Sequence, residues 1–139
     1  MTMVKQPVRT MLAISLGAIA GALGRYYVGI ALNGLLGTAL PLSTLVINVT
    51  GCFGMGLLAT LSVGRAISLH PDLRLLLLTG FLGSYTTFST YELESSSLLA
   101  QDRLGAALYY WAGSALLGLI GLQLGIALAE WLLKQLEQN

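Results

Sequence analysis

The sequence predicts an all-α integral membrane protein with four transmembrane helices, the third of which is broken near its middle. Its 139 residues are 55% hydrophobic and only 9% charged, whereas a soluble domain carries about 25% charged residues. This length leaves room for about four apolar spans of ~20 residues with short loops. One apolar run is interrupted by glycine and hydroxyl residues between Gly80 and Tyr91, and this interruption predicts the break.

Hydropathy and turn residues place the spans, which together form a single domain. We expect them at about residues 11–32, 42–61, 75–99 and 105–133. Lys5 and Arg9 precede the first apolar run, which is also the pattern at the start of a signal peptide. Apolar residues resume after Arg25, and this continuation favours a first span that is retained in the protein. Residues 65–74 are expected to form the second loop, with His70 alone in it.

Glycines are expected to shape the packing and the break. Gly17 with Gly21, and Gly121 with Gly125, have the four-residue spacing that lets membrane helices approach closely, although the sequence does not identify their partner helices. In the third span Gly80 is followed by five serine or threonine residues in positions 84–90. Glycine weakens a helix and threonine competes for backbone hydrogen bonds, so we expect the backbone to break here. Broken backbone at membrane depth needs burial in protein or a wet cavity.

Polar side chains form stripes on three of the spans. Thr44 and Asn48 share a face of the second span, and Tyr110 and Ser114 share a face of the fourth. The third span has two neighbouring strips, formed by Phe88, Tyr91 and Ser95 and by Thr87, Thr90 and Glu94. Hydrogen bonding between helices would explain any one such residue. Three stripes together with a broken helix favour a permeation path.

Several functions are excluded by what the chain lacks. No Ser-His-acid set, phosphate-binding loop or pair of metal-binding carboxylates can be assembled, so an enzyme is not expected. The net charge is +1 without a basic stretch, so no nucleic-acid partner is expected. Cys52 is the only cysteine, and we expect a buried, inert thiol.

The stripes indicate the kind of ion that a path would carry. Hydroxyl, amide and aromatic-edge groups suit a small, dehydrated anion, and there is no ring of carboxylates of the kind that cation pores use. The break also frees carbonyl oxygens near Gly83 and Thr86, which would suit Na⁺ or K⁺. Alternatively, neighbouring helices or water molecules donate hydrogen bonds to those carbonyl oxygens, and the residues favour the two possibilities equally.

Four blocks of residues, one on each span and in the same order, resemble those of the Fluc (CrcB) fluoride channels. The blocks are Gly21-Ala-Leu-Gly-Arg25-Tyr26, Thr44-x-x-x-Asn48-x-x-Gly51-x-Phe53-x-x-Gly56, Gly80-x-x-Gly83-x-x-Thr86-Thr-Phe88-Ser-Thr-Tyr91 and Tyr110-x-x-x-Ser114-x-x-x-Gly118. The Thr-Thr-Phe-Ser-Thr core is specific, whereas the other blocks are individually weak. The resemblance covers essentially the whole chain.

The resemblance implies a fluoride-selective channel that exports cytoplasmic fluoride passively across the cell inner membrane. It implies an antiparallel, dual-topology homodimer in the lipid bilayer, with a structural Na⁺ at its centre held by the carbonyl oxygens of Gly83 and Thr86. It implies that fluoride is bound by a set of pore residues: Thr44, Asn48, Phe88, Ser89, Thr90, Tyr91 and Ser114. Arg25 is expected to be structural and to snorkel towards the interface. Glu94 and Tyr110 match positions whose roles stay open.

Some features depart from the family pattern. Tyr91 stands where the family usually has a second pore phenylalanine, and Ser43 replaces a usual glycine. The terminal side of the membrane would carry the excess of basic residues: Lys5, Arg9, Arg65, Arg74 and Lys134. This bias favours cytoplasmic termini. It leaves a fixed-orientation heterodimer with a homologous chain as the alternative to the dual-topology homodimer, which we favour.

Two other functions compete with the fluoride channel. A small four-span multidrug or cation exporter would need a carboxylate within the membrane, and Glu92 and Glu94 lie only late in the third span. A non-conducting assembly factor would not need polar stripes on three helices. The channel is therefore the preferred prediction.

Overall fold

The computed structural model of the protein describes residues 5–37, 39–64 and 69–138, which form helices joined by short turns. In chain order the elements are α1 (Lys5–Leu36), α2 (Leu42–Val63), α3 (Pro71–Arg74), a π-helix (Leu75–Leu82), α4 (Gly83–Tyr85), α5 (Phe88–Ala100) and α6 (Leu104–Glu137). These described ranges contain no strand, so the predicted all-α class is confirmed.

Among the described residues, three helices are long and apolar enough to cross a membrane. They cover Val8–Leu36, Leu42–Val63 and Leu104–Glu137, and each extends past the end predicted from hydropathy. The remaining predicted span, 75–99, corresponds to a series of shorter elements, the π-helix, α4 and α5. The second loop is shorter than predicted, because Pro71 starts helix α3 and His70 caps it by accepting the Asp72 amide at 3.2 Å. Arg65 lies outside the described residues.

The third span breaks at Thr86 and Thr87, whose backbones are extended with ψ of 158° and 118°. Gly83 keeps helical angles, with φ −62° and ψ −28°, so this glycine does not open the ladder. The preceding residues Leu75–Leu82 form a π-helix, a conformation that is frequent at functional sites. The break therefore lies in the predicted segment, but threonines form it.

Glycines bring the helices together in two parallel pairs. A Cβ at Gly17 or Gly21 would collide with the backbone of the π-helix, so α1 lies directly against that element. A Cβ at Gly121 or Gly125 would collide with the backbone of α2, so α2 and α6 lie equally close. The structure thus identifies the partner helices that the glycine spacing left open.

The ends of the bundle are fastened by polar contacts between loops and helices. The turn between α5 and α6 holds Asp102 at φ 56°, and Arg103 Nη1 donates to the Ala39 carbonyl oxygen at 3.0 Å. At the other end, Arg9 pairs with Asp72 and lies 3.0 Å from His70 Nε2. His70, which the sequence left alone in a loop, therefore helps to fasten α1 to the start of the third span.

A small apolar core fixes α5, the second half of the broken span, against α6. The buried residues of this core are Tyr91, Leu98, Ala107 and Tyr110. They come from two helices that run antiparallel on either side of the Gln101–Arg103 turn. The residues at the start of α5 are therefore held at a fixed depth beside α2 and α6.

Candidate functional site

Asn48 of α2 closes the break in the third span. Its Oδ1 accepts from the Thr87 amide at 2.8 Å, and its Nδ2 donates to the Thr87 carbonyl oxygen at 2.9 Å. Both backbone groups of an extended residue are thereby paired within a membrane span, where an unpaired group costs several kcal/mol. A primary amide has two N–H donors, so one N–H of Asn48 is not used by this contact.

The break leaves the carbonyl oxygens of Gly83 and Thr86 without their helical donors. In a continuous helix the amides of Thr87 and Thr90 would donate to them. Here the Thr87 amide donates to Asn48, and the Thr90 amide donates to Thr87 Oγ1 at 3.3 Å. Neither carbonyl oxygen has a donor within the described ranges, and Gly83 is exposed.

These two oxygens are the atoms that could hold a cation. A Cβ at Gly83 would meet only the Leu78 carbonyl oxygen, at 3.7 Å, so the space beside this glycine is open. In the described part of the chain, no three His, Cys, Asp or Glu residues come together as a metal site. Hard alkali cations favour carbonyl ligands, so the freed backbone oxygens fit the predicted Na⁺.

The start of α5 presents hydroxyl groups that are not committed to other residues. Thr87 Oγ1 donates to Thr90 Oγ1 at 2.9 Å, so the hydroxyl proton of Thr90 is left over. Ser89 is exposed, and its hydroxyl has no partner in the described part of the chain. Two O–H donors are therefore free beside the break.

Glu94 is held between three helices by two hydroxyl donors. Its Oε1 accepts from Thr44 of α2 at 2.8 Å, and its Oε2 accepts from Tyr110 of α6 at 2.7 Å. The Glu94 side chain is half-buried, whereas Thr44 and Tyr110 are buried. These three residues, two of which were left without an assigned role, form one connected group. The protons of Thr44 and Tyr110 are spent on the carboxylate.

Three aromatic rings lie in a row from the break to Tyr110. Phe88 is 74% exposed, and its ring centroid lies 5.8 Å from that of Tyr91, which lies 5.5 Å from that of Tyr110. The Tyr91 hydroxyl donates to the Trp111 carbonyl oxygen at 2.7 Å. The hydroxyl of Tyr91 therefore fastens α5 to α6.

Ser114 of α6 carries a buried hydroxyl that is left unpaired. Its Oγ is shielded from solvent and has no hydrogen-bond partner in the described part of the chain. A buried unsatisfied polar atom calls for an explanation, such as an ion that is not part of the protein.

One turn beyond Asn48 on α2, Cys52 is half-buried, and so is less enclosed than expected.

Two open cavities meet at Glu94. The larger has a volume of about 520 Å³, and its polar lining includes Arg25, Thr44, Thr87, Thr90 and Glu94. The smaller has a volume of about 260 Å³, and its polar lining includes Asn33, Ser43, Glu94, Ser97, Gln101 and Arg103. The two cavities form a polar surface from the α5–α6 turn to the break.

Arg25 lies beside the break in the third span, and its predicted snorkelling towards the membrane interface stays a prediction. Its neighbour Gly24 lies beside the Tyr85 side chain, one residue before the break, and Arg25 lines the larger cavity with Thr90. Its half-buried guanidinium makes no hydrogen bond or ion pair with other described residues. α1 packs in register with the first half of the third span, and this register brings Arg25 beside the break.

The predicted pore set omitted two residues that the structure places at the site. Thr87 is the residue that Asn48 clamps and that caps α5, and threonine just before a helix is a recognisable capping signal. Arg103 lines the smaller cavity, and no spacing in the sequence relates it to Glu94. The other predicted polar residues lie on the three helices around the break.

Comparison with known proteins gives consistent matches along the chain. Residues 12–126 match the family model described as CrcB-like protein, Camphor Resistance (CrcB). A protein of Trichormus variabilis named "Fluoride-specific ion channel FluC" is 50% identical over 129 residues, which are 92% of this chain and 94% of that protein. One of the same name from Synechocystis sp. is 55% identical over 122 residues, 88% of this chain and 93% of that protein.

Proposed function

The chain belongs to the CrcB family of fluoride channels, and from this premise we propose that fluoride crosses the membrane along the polar face of α2, α5 and α6. The protein is an ion channel and not an enzyme. Its function is the passive export of cytoplasmic fluoride, which prevents fluoride toxicity. Fluoride accumulates inside a cell when the outside is acidic, because it enters as a weak acid, so a pore needs no coupled energy source.

The observation that carries the proposed path is the unpaired hydroxyl of Ser114. A buried donor without an acceptor is costly unless a ligand supplies the acceptor. The unused O–H groups of Ser89 and Thr90 and the second N–H of Asn48 lie on the neighbouring helices. We assign these four residues as the fluoride donors, with the Phe88 ring edge as a further positive surface.

The frame of the path consists of the two remaining predicted pore residues, Thr44 and Tyr91, together with Tyr110, whose role the sequence left open. The hydroxyls of Thr44 and Tyr110 are committed to Glu94, and the hydroxyl of Tyr91 is committed to the Trp111 carbonyl oxygen. A framework held by such bonds keeps the path narrow. Fixed donors in a narrow path replace the tight hydration shell of fluoride and exclude chloride by size.

Arg25 offsets the negative charge of Glu94 on the approach to this path. Both residues line the larger cavity, and Glu94 also borders the smaller one. The guanidinium has no partner among the described residues, so its positive charge is available to attract an anion. We assign Arg25 to the attraction of fluoride and Glu94 to the positioning of Thr44 and Tyr110.

We propose that two copies of the chain assemble as an antiparallel homodimer. The freed carbonyl of Gly83 and the exposed Phe88 ring lie in the predicted third span, and the open 520 Å³ cavity is lined by residues of α1, α2 and α5 of a single copy. Such polar backbone does not face lipid, because the hydrocarbon offers it no hydrogen bonds. A second, inverted copy that covers this face would bury the break and complete the path.

Na⁺ is the proposed structural cofactor of that dimer. The carbonyl oxygens of Gly83 and Thr86 from each copy would hold it, and its charge would neutralise oxygens that the break leaves unpaired. The observation that supports this assignment is the loss of both helical donors. The Asn48 clamp keeps these oxygens free by taking the Thr87 amide.

The location that fits this function is the cell inner membrane, which the chain crosses several times. The basic bias of the terminal side favours one orientation. The inverted dimer needs both orientations, so we propose dual topology for this chain. A fixed-orientation heterodimer with a homologous chain is the alternative.

The test is fluoride efflux from liposomes that contain the purified protein, with chloride efflux as the control. Fluoride release without chloride release supports the proposed path, and equal release of both ions contradicts its selectivity. Phe88→Ile should sharply reduce fluoride release while the dimer elutes unchanged, because the ring edge is lost and its exposed position carries little packing. No release by the unaltered chain, restored by a co-expressed homologous chain, would establish the heterodimer.

A further inference from the structure

Glu92 is a carboxylate within the third span that the proposed path does not use. It lies two residues before Glu94 on α5, yet it borders neither of the two cavities around Glu94. Glu94 receives two hydroxyl hydrogen bonds, whereas Glu92 has no hydrogen bond or ion pair with any described residue. An ionisable residue at membrane depth is costly, so one without a partner calls for a ligand.

A groove between α5 and α6 surrounds this carboxylate. It has a volume of about 290 Å³ and is lined by Glu92, Ser95, Ser96, Leu99, Ala107, Leu108 and Trp111. Leu99, Leu108 and Trp111 are exposed large apolar side chains. The Ser95 hydroxyl is spent on the Tyr91 carbonyl oxygen at 2.8 Å, so the groove is apolar apart from Glu92 and Ser96.

We propose that this groove binds a lipophilic organic ammonium ion, with the positive nitrogen at Glu92 and the apolar body between Leu99, Leu108 and Trp111. The unpaired negative charge selects a cation, and the apolar walls select one with a hydrocarbon body. An aromatic ring attracts an ammonium group by a cation–π interaction, so Trp111 adds to the affinity. The volume is close to the lower end of small-molecule pockets, about 300 Å³.

A metal ion does not fit this lining. Hard cations require several oxygen ligands, and this groove offers one carboxylate and one uncommitted hydroxyl, from Glu92 and Ser96. An alkylammonium needs only one or two acceptors, because its remaining surface is apolar. The groove is also separate from the cavities around Glu94, so ligand binding here is measurable without reference to fluoride flux.

Tryptophan fluorescence tests the proposal, because Trp111 lines the groove and the chain has only one other tryptophan. The protein carrying Trp131→Phe is reconstituted in phosphatidylcholine vesicles and titrated with a trimethylammonium amphiphile that is brominated on its alkyl chain. Bromine quenches nearby indole rings. We expect saturable quenching of Trp111, and non-saturable quenching of Trp131 in the matched Trp111→Phe protein.

The charge of Glu92 is tested in the same background. Glu92→Gln should raise the half-saturating concentration about tenfold, equivalent to ~1.4 kcal/mol, whereas Glu130→Gln, which alters an exposed carboxylate of α6, should leave it unchanged. The matching brominated alcohol should not saturate. Saturation by the alcohol, or equal curves for Glu92→Gln and the parent, would overturn the proposal.

A second variant tests the groove by volume. Ser96→Phe, at an exposed position, should abolish saturable quenching by filling the groove while Glu92 stays in place. Fluoride efflux by both variants should match the parent, which shows that they fold and assemble. Loss of efflux with Glu92→Gln would place this carboxylate on the fluoride path and contradict a separate site.

Discussion

Replacing Asn48 by Asp exchanges one amide nitrogen for an oxygen at the contact that closes the helix break. The Thr87 amide keeps its acceptor, now at 2.8 Å from a carboxylate oxygen. The Thr87 carbonyl oxygen loses its donor and faces a second oxygen at the position of Nδ2, 2.9 Å away. The change therefore removes one hydrogen bond and brings two acceptors together inside a membrane span.

The expected cost follows from those contacts. A buried group left unsatisfied costs about 1–3 kcal/mol, so Asn48→Asp should lower the free energy of unfolding by that amount. Asn48→Ala leaves both backbone groups of Thr87 without hydrogen-bond partners and should lower the free energy of unfolding by about twice as much. Thr50→Val is the control. This exposed hydroxyl, two residues along α2, donates within its own helix to Val46 at 2.8 Å and meets the third span only at the Tyr85 hydroxyl, 3.2 Å away, so its loss leaves the Thr87 backbone paired.

The assay combines thermal unfolding in detergent with fluoride efflux from liposomes. We expect stability to fall in the order Thr50→Val, Asn48→Asp, Asn48→Ala, and fluoride efflux to fall at least about tenfold in both Asn48 variants. The efflux falls because the break also positions the free donors at the start of α5. If Asn48→Asp matched Thr50→Val in both measurements, neither the clamp nor the pore assignment of Asn48 would stand.

Three further changes separate the other roles. Ser114→Ala removes an unpaired donor, so it should reduce fluoride efflux without lowering the melting temperature. Ser62→Ala is its control, because that half-buried hydroxyl is already bonded within α2, and it should change neither quantity. Normal efflux by Ser114→Ala would remove Ser114 from the path. Tyr91→Phe should lower the free energy of unfolding by about 1 kcal/mol, because one hydrogen bond to α6 is lost. Fluoride efflux by this variant should match the parent. Abolished efflux would show that the Tyr91 hydroxyl takes part in conduction. Gly125→Leu should prevent folding by forcing α6 away from α2. Gly113→Leu adds a side chain where a Cβ meets open space, so this variant should elute like the parent. An intact Gly125→Leu protein would contradict the close helix contact.

The polar stripes show how far sequence patterns predict a site of this kind. Helical spacing grouped the polar residues by face, but it offered two explanations, helix contacts and an ion path. The structure shows which of these residues bond to another helix. Thr44, Tyr91 and Tyr110 spend their hydroxyl protons on other helices, whereas the hydroxyl of Ser114 is left unpaired. Spacing along one helix cannot make this division, because a hydrogen-bond partner lies on another helix.

The break itself was predicted only in part. Glycine and hydroxyl residues within an apolar run indicate weak helix wherever they occur, and this much is a local property. Which residue leaves the helix depends on the acceptor that Asn48 offers from 39 positions earlier in the chain. The glycines instead serve the packing of α1, where Gly17 and Gly21 admit the backbone of the π-helix.

The sequence by itself determined the membrane class, the approximate spans and the segment that breaks, because each follows from hydropathy and backbone preference within a few neighbouring residues. The tertiary structure alone decided which helices pair through glycine, where Arg25 lies, and which donors remain free. These properties depend on the register between helices that are distant in sequence. That register is set by close backbone contact, as at Gly125, and no local pattern records it.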